Sequence, residues 1–338
     1  MNDIVEGTLL EERILPLPAS ISAEARDALA RLVGAGGIPV NSLHRLPAPD
    51  DHHGWTALKA VAEENYAARI AEAAGDLRST IDTIIVEGAP IHVAIPADPR
   101  RPDCAYIDLH GGALVLGGGE ACKIGARLQA DLHHVRCYGV DYRTPPEHPY
   151  PAALDDCMAA YRYALDRHAP ENIVIGGRSA GGNLAASMLL RARREALPAP
   201  AGLILLSPQV DLTESGDSFE VNRLVDLVLT GSLMASNLLY AGGADLSDPL
   251  LSPLFGNLQG FPPVFLQSGT RDLFLSNAVR MHRALRRVKV SAELHVFEGM
   301  PHGGFTGYTP EDAELSAEVA RFVAERWTTS EATSRAEI

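Results

Sequence analysis

The hydrophobic pattern changes character near residue 80. Before it, apolar residues recur at three- and four-residue spacing within Ala- and Glu-rich segments. "SAEARDALARLV" predicts a helix starting near Ser22, with the serine as N-cap and Glu24 just behind it. "TALKAVAEENYAARIAEAA" predicts a second helix, with Thr56 as its candidate cap. The stretch between them, "GAGGIPVNSLHRLPAPDDHHGW", keeps neither period and reads as a loop. From Ile81 short apolar runs take over. "IDTIIVEGAPIHVAIPA" predicts two strands that turn at Glu87-Gly88. Six more strands follow at 104–110, 135–141, 172–177, 202–208, 263–269 and 292–299. Helices are predicted near 120–132, 152–167, 179–195 and 275–287, with a last one over 310–327. Apolar strands alternating with amphipathic helices imply an α/β protein, with a mostly parallel eight-stranded sheet covered on both faces.

The rhythm breaks between the strands ending at 208 and starting at 263, where the interval is far longer than a plain crossover needs. We read part of it as packing with the N-terminal helices into a cap over the sheet. The expected division is a cap segment over 1–80, a core over 81–211 and 258–330, a second cap segment over 212–257, and a disordered tail over 331–338.

Composition narrows the function classes. The 338 residues are 46% hydrophobic and 21% charged, an ordinary globular balance, and the formal charge is −14. That charge, with no basic run, argues against nucleic acid and anionic membrane surfaces as partners. No stretch has the length of an apolar membrane span. The start, "MNDIVEGTLLEER", is acidic and lacks the apolar centre of a signal peptide, so a cytoplasmic protein is expected. Cys104, Cys122, Cys137 and Cys157 are widely spaced and read as reduced thiols. The adjacent pairs His52-His53 and His133-His134 point in different directions and chelate poorly, so no metal is expected. A homodimer is left open.

The chemistry concentrates in "GGRSAGGN" (176–183), one serine among four glycines between an apolar strand and a helix. Its Gly177-x-Ser179-x-Gly181 pattern suits a tight strand-to-helix turn that presents the hydroxyl at the carboxyl edge of the sheet. A serine nucleophile needs a base, and His302 in "GMPHGGF" follows a strand end and precedes the last helix. The base needs an orienting carboxylate. Asp272 in "SGTRDLF" lies between serine and histidine in chain order; Asp141 precedes the serine, and Asp211 sits one strand early. Backbone donors for an oxyanion could come from Gly111 and Gly112 of "HGGA", together with Ala180.

These segments resemble the hormone-sensitive-lipase-like (bacterial family IV) esterases of the α/β-hydrolase fold. The similarity covers about residues 80 to 326. It rests on "HGGA", "DYRTPPEHPYPAALDD", "GGRSAGGNLAAS", "LLSPQVDLT", "DPLLSPLFGNLQGFPP", "SGTRDLF" and "GMPHGGF", in the family's order. The resemblance implies a Ser179–His302–Asp272 triad, an oxyanion hole at Gly111, Gly112 and Ala180, no cofactor, and a small-molecule ester as substrate. A lactone, carbamate or amide on the same triad, or a non-catalytic binding homologue, are the alternatives.

The departures from the family concern substrate choice. Ala113 stands where a third glycine is usual, and Leu114 where an aromatic ring is common, which suggests a pocket for short to medium acyl groups. Leu273, Ser276 and Asn277 replace a proline and an acidic pair, and Gly304 is extra. Arg178 precedes the nucleophile. A guanidinium there needs a partner if buried, and Glu147 of "PPEHPYP", otherwise a structural turn, is the expected one.

Overall fold

An eight-stranded sheet runs through the computed structural model, which describes residues 8, 14–43, 45–74, 76–229, 231–305 and 307–336. Its strands are β1 (Thr80–Val86), β2 (Ala89–Ile95), β3 (Ala105–Leu109), β4 (Arg136–Val140), β5 (Ile173–Arg178), β6 (Gly202–Leu206), β7 (Val264–Gly269) and β8 (Ala292–Phe297). Their spatial order is β1-β2-β4-β3-β5-β6-β7-β8. The hairpin β1–β2 is antiparallel and β2 meets β4 antiparallel, while every pairing from β4 to β8 is parallel.

Nine helices are described: α1 (Ala23–Arg31), α2 (His52–Ala74), α3 (Glu120–His133), α4 (Ala152–Leu165), α5 (Ala180–Arg194), α6 (Ser218–Val221), α7 (Met234–Ala241), α8 (Leu275–Arg287) and α9 (Pro310–Ala336). The two-residue period of the central strands divides them between two cores. Ile107, Ile175 and Leu205 face α4, α5 and α8 through Leu154, Leu184 and Met281. Tyr106, Val174, Ile204 and Phe265 face α3 and α9 through Ala126, Phe322 and Val323. Both faces are therefore buried, which is why these strands are almost continuously apolar.

The sequence departs from expectation at two helix ends. Thr56 is not a cap: α2 begins at His52, and the Thr56 hydroxyl donates to the His52 carbonyl within the helix. Asp51, just before the helix, accepts from the Gly54 N–H instead at 2.9 Å. At the other terminus α9 continues to Ala336, so residues 331–336 are helical where a disordered tail was expected. Ser22 does cap α1, accepting from the Ala25 N–H at 3.1 Å, and its own N–H and hydroxyl donate to Glu311 at the start of α9.

Two segments outside the sheet pack on loops that follow its strands. The N-terminal one packs α1 (Ala25, Ala28, Leu29) on Leu227, Met300 and Phe305. Trp55 at the start of α2 packs on Val115 and on Leu239 of α7. The 207–262 interval carries α6 and α7, and is bound to the core by the Asp211–Arg280 ion pair at 2.6 Å.

Candidate active site

Ser179 is the residue between β5 and α5, with φ +56° and ψ −117°. The glycines around it answer to backbone contacts. A Cβ on Gly181 would lie 1.8 Å from the Leu109 carbonyl oxygen, and one on Gly177 would lie 2.2 Å from the Gly181 carbonyl oxygen. No side chain can occupy either position without moving backbone. The Ser179 N–H donates to Leu206 at 2.8 Å, which fixes the turn to β6.

Ser179 Oγ lies 2.9 Å from His302 Nε2, and His302 Nδ1 lies 3.0 Å from Asp272 Oδ1. Asp272 also accepts from the Phe274 N–H at 2.9 Å and from the Ser268 hydroxyl at 2.7 Å. Burial alone would raise the Asp272 carboxyl. The electrostatic interaction with the His302 ring and these hydrogen bonds outweigh it, so Asp272 is held below the ordinary carboxylate range. The Phe274 ring meets His302 edge-on at 4.8 Å. Asp141 and Asp211 are engaged elsewhere. Asp141 accepts from the Gly119 N–H and pairs with His92 at 3.1 Å, while Asp211 binds Arg280, Thr213 and Ser215.

Gly111 lies against the nucleophile: a Cβ there would be 3.4 Å from Ser179 Cβ. Gly112 takes φ +131°, where a Cβ would strike the Leu116 carbonyl. Ala180 opens α5, so its N–H has no helical carbonyl one turn back. Gly111 and Ala180 thus adjoin Ser179, and Gly112 follows in the same loop. Ala113, at φ +54°, keeps partial exposure beside them. Leu114 does not line the pocket: it is fully buried in the main core, because the positive-φ turn directs it under the loop.

Arg178 is not paired with Glu147. Glu147 lies on the surface, 3.4 Å from Lys59, in a turn with cis bonds at Pro145–Pro146 and Tyr150–Pro151. Arg178 ends β5 and points along the strand's other face, where its Nη1 donates to the Gly303 carbonyl at 2.6 Å. The Gly303 N–H donates to the Ser207 hydroxyl at 3.4 Å. The residue after His302 is therefore held at both its carbonyl and its N–H. Asp108 on β3 shares the neighbourhood of Arg178; burial pushes its carboxyl up to about 7, and the Arg178 charge pulls it down.

One buried acid escaped the sequence reading. Asp226, in the run "NRLVDLVLT" between β6 and β7, has its carboxylate within 4.8 Å of both Asp272 and His302. Its only sequence signal was a lone acid amid leucines and valines. The paired histidines are remote from this chemistry: His133 is buried against Tyr106, and His52 and His53 are exposed at the start of α2. All four cysteines are buried, and Cys122, Cys137 and Cys157 are free thiols.

An eight-stranded α/β sheet with a serine at the strand–helix turn and a histidine–aspartate pair beside it is the frame of an α/β hydrolase. A family model for the alpha/beta hydrolase fold matches residues 106–306. An esterase of Acinetobacter venetianus is 32% identical over 224 residues, 63% of this chain and 72% of that one. The carboxylesterase NlhH of Mycobacterium tuberculosis is 32% identical over 239 residues, 67% of this chain and 75% of that one. The crystal structure of esterase E25 superposes with a TM-score of 0.87 at 35% identity, covering 94% of this chain and 98% of that one. That of an esterase from the bacterial hormone-sensitive lipase family gives 0.79 at 28% identity, over 90% and 99%. The chain belongs to the hormone-sensitive-lipase-like esterases of the α/β-hydrolase family and is an ester-hydrolysing enzyme. Among the described residues, no helix is long and apolar enough to cross a membrane.

Proposed function

We propose that the protein hydrolyses short to medium acyl carboxylic esters through an acyl-enzyme on Ser179. His302 Nε2 takes the Ser179 proton as Oγ bonds to the ester carbonyl carbon. Asp272 holds the imidazole tautomer and stabilises the imidazolium. The N–H groups of Gly111, Gly112 and Ala180 receive the tetrahedral oxyanion. His302 returns the proton to the departing alcohol as the ester C–O bond breaks, and water then repeats the sequence on the acyl-enzyme. The observation that carries this reading is the continuous Ser179–His302–Asp272 hydrogen-bonded chain, at 2.9 and 3.0 Å.

Small substrates are favoured by the cover over the site, since Ser179 and His302 are only 7% and 8% exposed. A relative named acetyl-hydrolase, from Streptomyces hygroscopicus, is 34% identical over 207 residues, 60% of this chain and 68% of that one. The structure of EstE5 soaked with p-nitrophenyl butyrate superposes at a TM-score of 0.77 and 26% identity. We also infer a cytoplasmic location, which the buried thiols support and cell fractionation tests.

The test is direct. A fluorophosphonate should label the wild type at Ser179 and leave Ser179→Ala unlabelled. Ser179→Ala and His302→Ala should each lower ester kcat by roughly 10⁵ or more with the fold intact. Asp272→Asn should cost on the order of 10⁴, through the wrong tautomer. An Asp272→Asn enzyme with most of its activity would overturn the aspartate's role. Matched acyl groups presented as ester, lactone, carbamate and amide separate the bond classes, with the ester expected to react fastest.

A further inference from the structure

Asp226 is fully buried, yet it comes from the cap segment rather than from the sheet. Its Oδ1 accepts the N–H groups of Val228 at 3.0 Å, Leu229 at 3.1 Å and His302 at 3.3 Å. Its Oδ2 accepts the N–H of Leu273, the residue after Asp272, at 2.7 Å. One side chain thus ties the cap to both loops that carry the proton-transfer pair. Oxygens of the two carboxylates and a His302 ring nitrogen all lie within 4.8 Å of one another.

Both oxygens accept backbone N–H groups, so an asparagine would turn its NH2 toward one set of them. The carboxylate also places a negative charge beside the proton-transfer pair. Burial and the nearby Asp272 push the Asp226 carboxyl up to about 6, while His302 draws it back down. Two buried carboxylates beside a neutral imidazole repel each other, and the repulsion is relieved when the imidazolium forms. An interaction that is more favourable after proton transfer than before it lowers the barrier rather than the binding energy.

The other groups around the pair do not supply this charge. Arg178 reaches the Gly303 carbonyl, and Arg271 donates to the Pro16 carbonyl. Asp312 at the start of α9 is bonded to the Phe305 and Gly307 N–H groups. From α1 the contacts are apolar, through Ala25, Ala28 and Leu29 on Leu227, Met300 and Phe305. Asn41 of the N-terminal segment donates to the Leu227 and Val228 carbonyls, both at 3.1 Å, and so steadies the turn that holds Asp226.

We propose that Asp226 is a positioning residue through which the cap acts on the reaction: a second buried carboxylate that holds the Asp272 and His302 loops together and favours the imidazolium formed during attack. This rests on the triad reading above, and fluorophosphonate labelling of Ser179 in the same preparations tests that reading separately.

The experiment compares Asp226→Asn and Asp226→Glu with the wild type on p-nitrophenyl butyrate, as kcat and KM from pH 5 to 9, with thermal melts. Asp226→Asn should lower kcat roughly 10- to 100-fold while KM stays within about twofold. The acid limb of its kcat/KM profile should move down by about one pH unit, because the general base has lost a nearby anion. Asp226→Glu keeps the charge, so its acid limb should stay where the wild type's is while kcat falls. A folded Asp226→Asn with unchanged kcat and an unmoved acid limb overturns the proposal, as does a loss of Tm with no movement of the limb. If neither variant folds, Asn41→Ala decides: kcat should fall severalfold at unchanged KM, and wild-type kcat there overturns the proposal.

Discussion

Arg178→Ala should destabilise the enzyme by an amount that grows with pH. The guanidinium donates to the Gly303 carbonyl at 2.6 Å, and a hydrogen bond to a charged group contributes about 1.5–3 kcal/mol. That part is independent of pH. The second part comes from Asp108, which pairs across from Gly176, two residues before Arg178 and on the same face of the sheet. Its folded pKa, pushed up to about 7 by burial against the pull of Arg178, lies well above the ordinary value of about 3.9. Between about pH 4 and 7 the folded protein holds a proton that the unfolded chain has released. This group's contribution is therefore most favourable in acid and is lost as pH rises through that window.

Removing Arg178 raises the Asp108 carboxyl further and extends the loss to higher pH. Each added unit would cost about 1.4 kcal/mol in full, and less here because Asp108 keeps some exposure to water. We expect a loss of about 2 kcal/mol at pH 5.5 and about 3 kcal/mol at pH 8.5, read from guanidinium chloride melts. Release of the Gly303 carbonyl should also loosen His302, with kcat down about tenfold. Glu147→Gln is the control: its side chain is 51% exposed beside Lys59, so it should stay within about 0.5 kcal/mol and add independently to Arg178→Ala. A loss under about 0.5 kcal/mol at both pH values would refute the reasoning and make Arg178 a solvated residue.

Two further substitutions probe the turns around the nucleophile. Gly181→Ala places a methyl 1.8 Å from the Leu109 carbonyl and 2.6 Å from that of His110. Backbone cannot swing aside as a side chain can, so a loss above about 3 kcal/mol, or no soluble enzyme, is expected, and a wild-type melt would refute the contact. Ala113→Gly removes a methyl from a residue at φ +54°. It should leave stability unchanged or raise it by up to about 1 kcal/mol, and shift kcat/KM toward longer acyl chains by about 1–3 kcal/mol per added methylene contact. An unaltered profile across p-nitrophenyl acetate to laurate would show that Ala113 does not bound the acyl pocket.

The central strands were legible because both their faces are buried. Runs such as "GLILLSP" and "PVFLQSG" have no polar face to confuse their period. Ser179, Asp272 and His302 were legible because each follows the end of one such strand. The groups that support them were not. Arg178 has no signal for its acceptor, because a backbone carbonyl at Gly303 leaves no trace in residue type. Asp226 and Asn41 act through loops whose course only the tertiary structure sets. The N-terminal segment shows the difference most clearly. The sequence reads it as part of a cap over the sheet, and a cap that only covers the mouth acts through KM and on larger esters. In the structure α1 buries Leu29 against Met300 and Phe305, on either side of His302, and Asn41 holds the turn beside Asp226. A cover acts on substrate size, whereas a buttress acts on every substrate alike. Deletion of residues 1–45 should therefore lower kcat even for p-nitrophenyl acetate, and Leu29→Ala should do so to a lesser degree while costing about 2–4 kcal/mol in the melt. If the truncated enzyme kept wild-type kcat on acetate and lost only the longer esters, the segment would be a cover and nothing more.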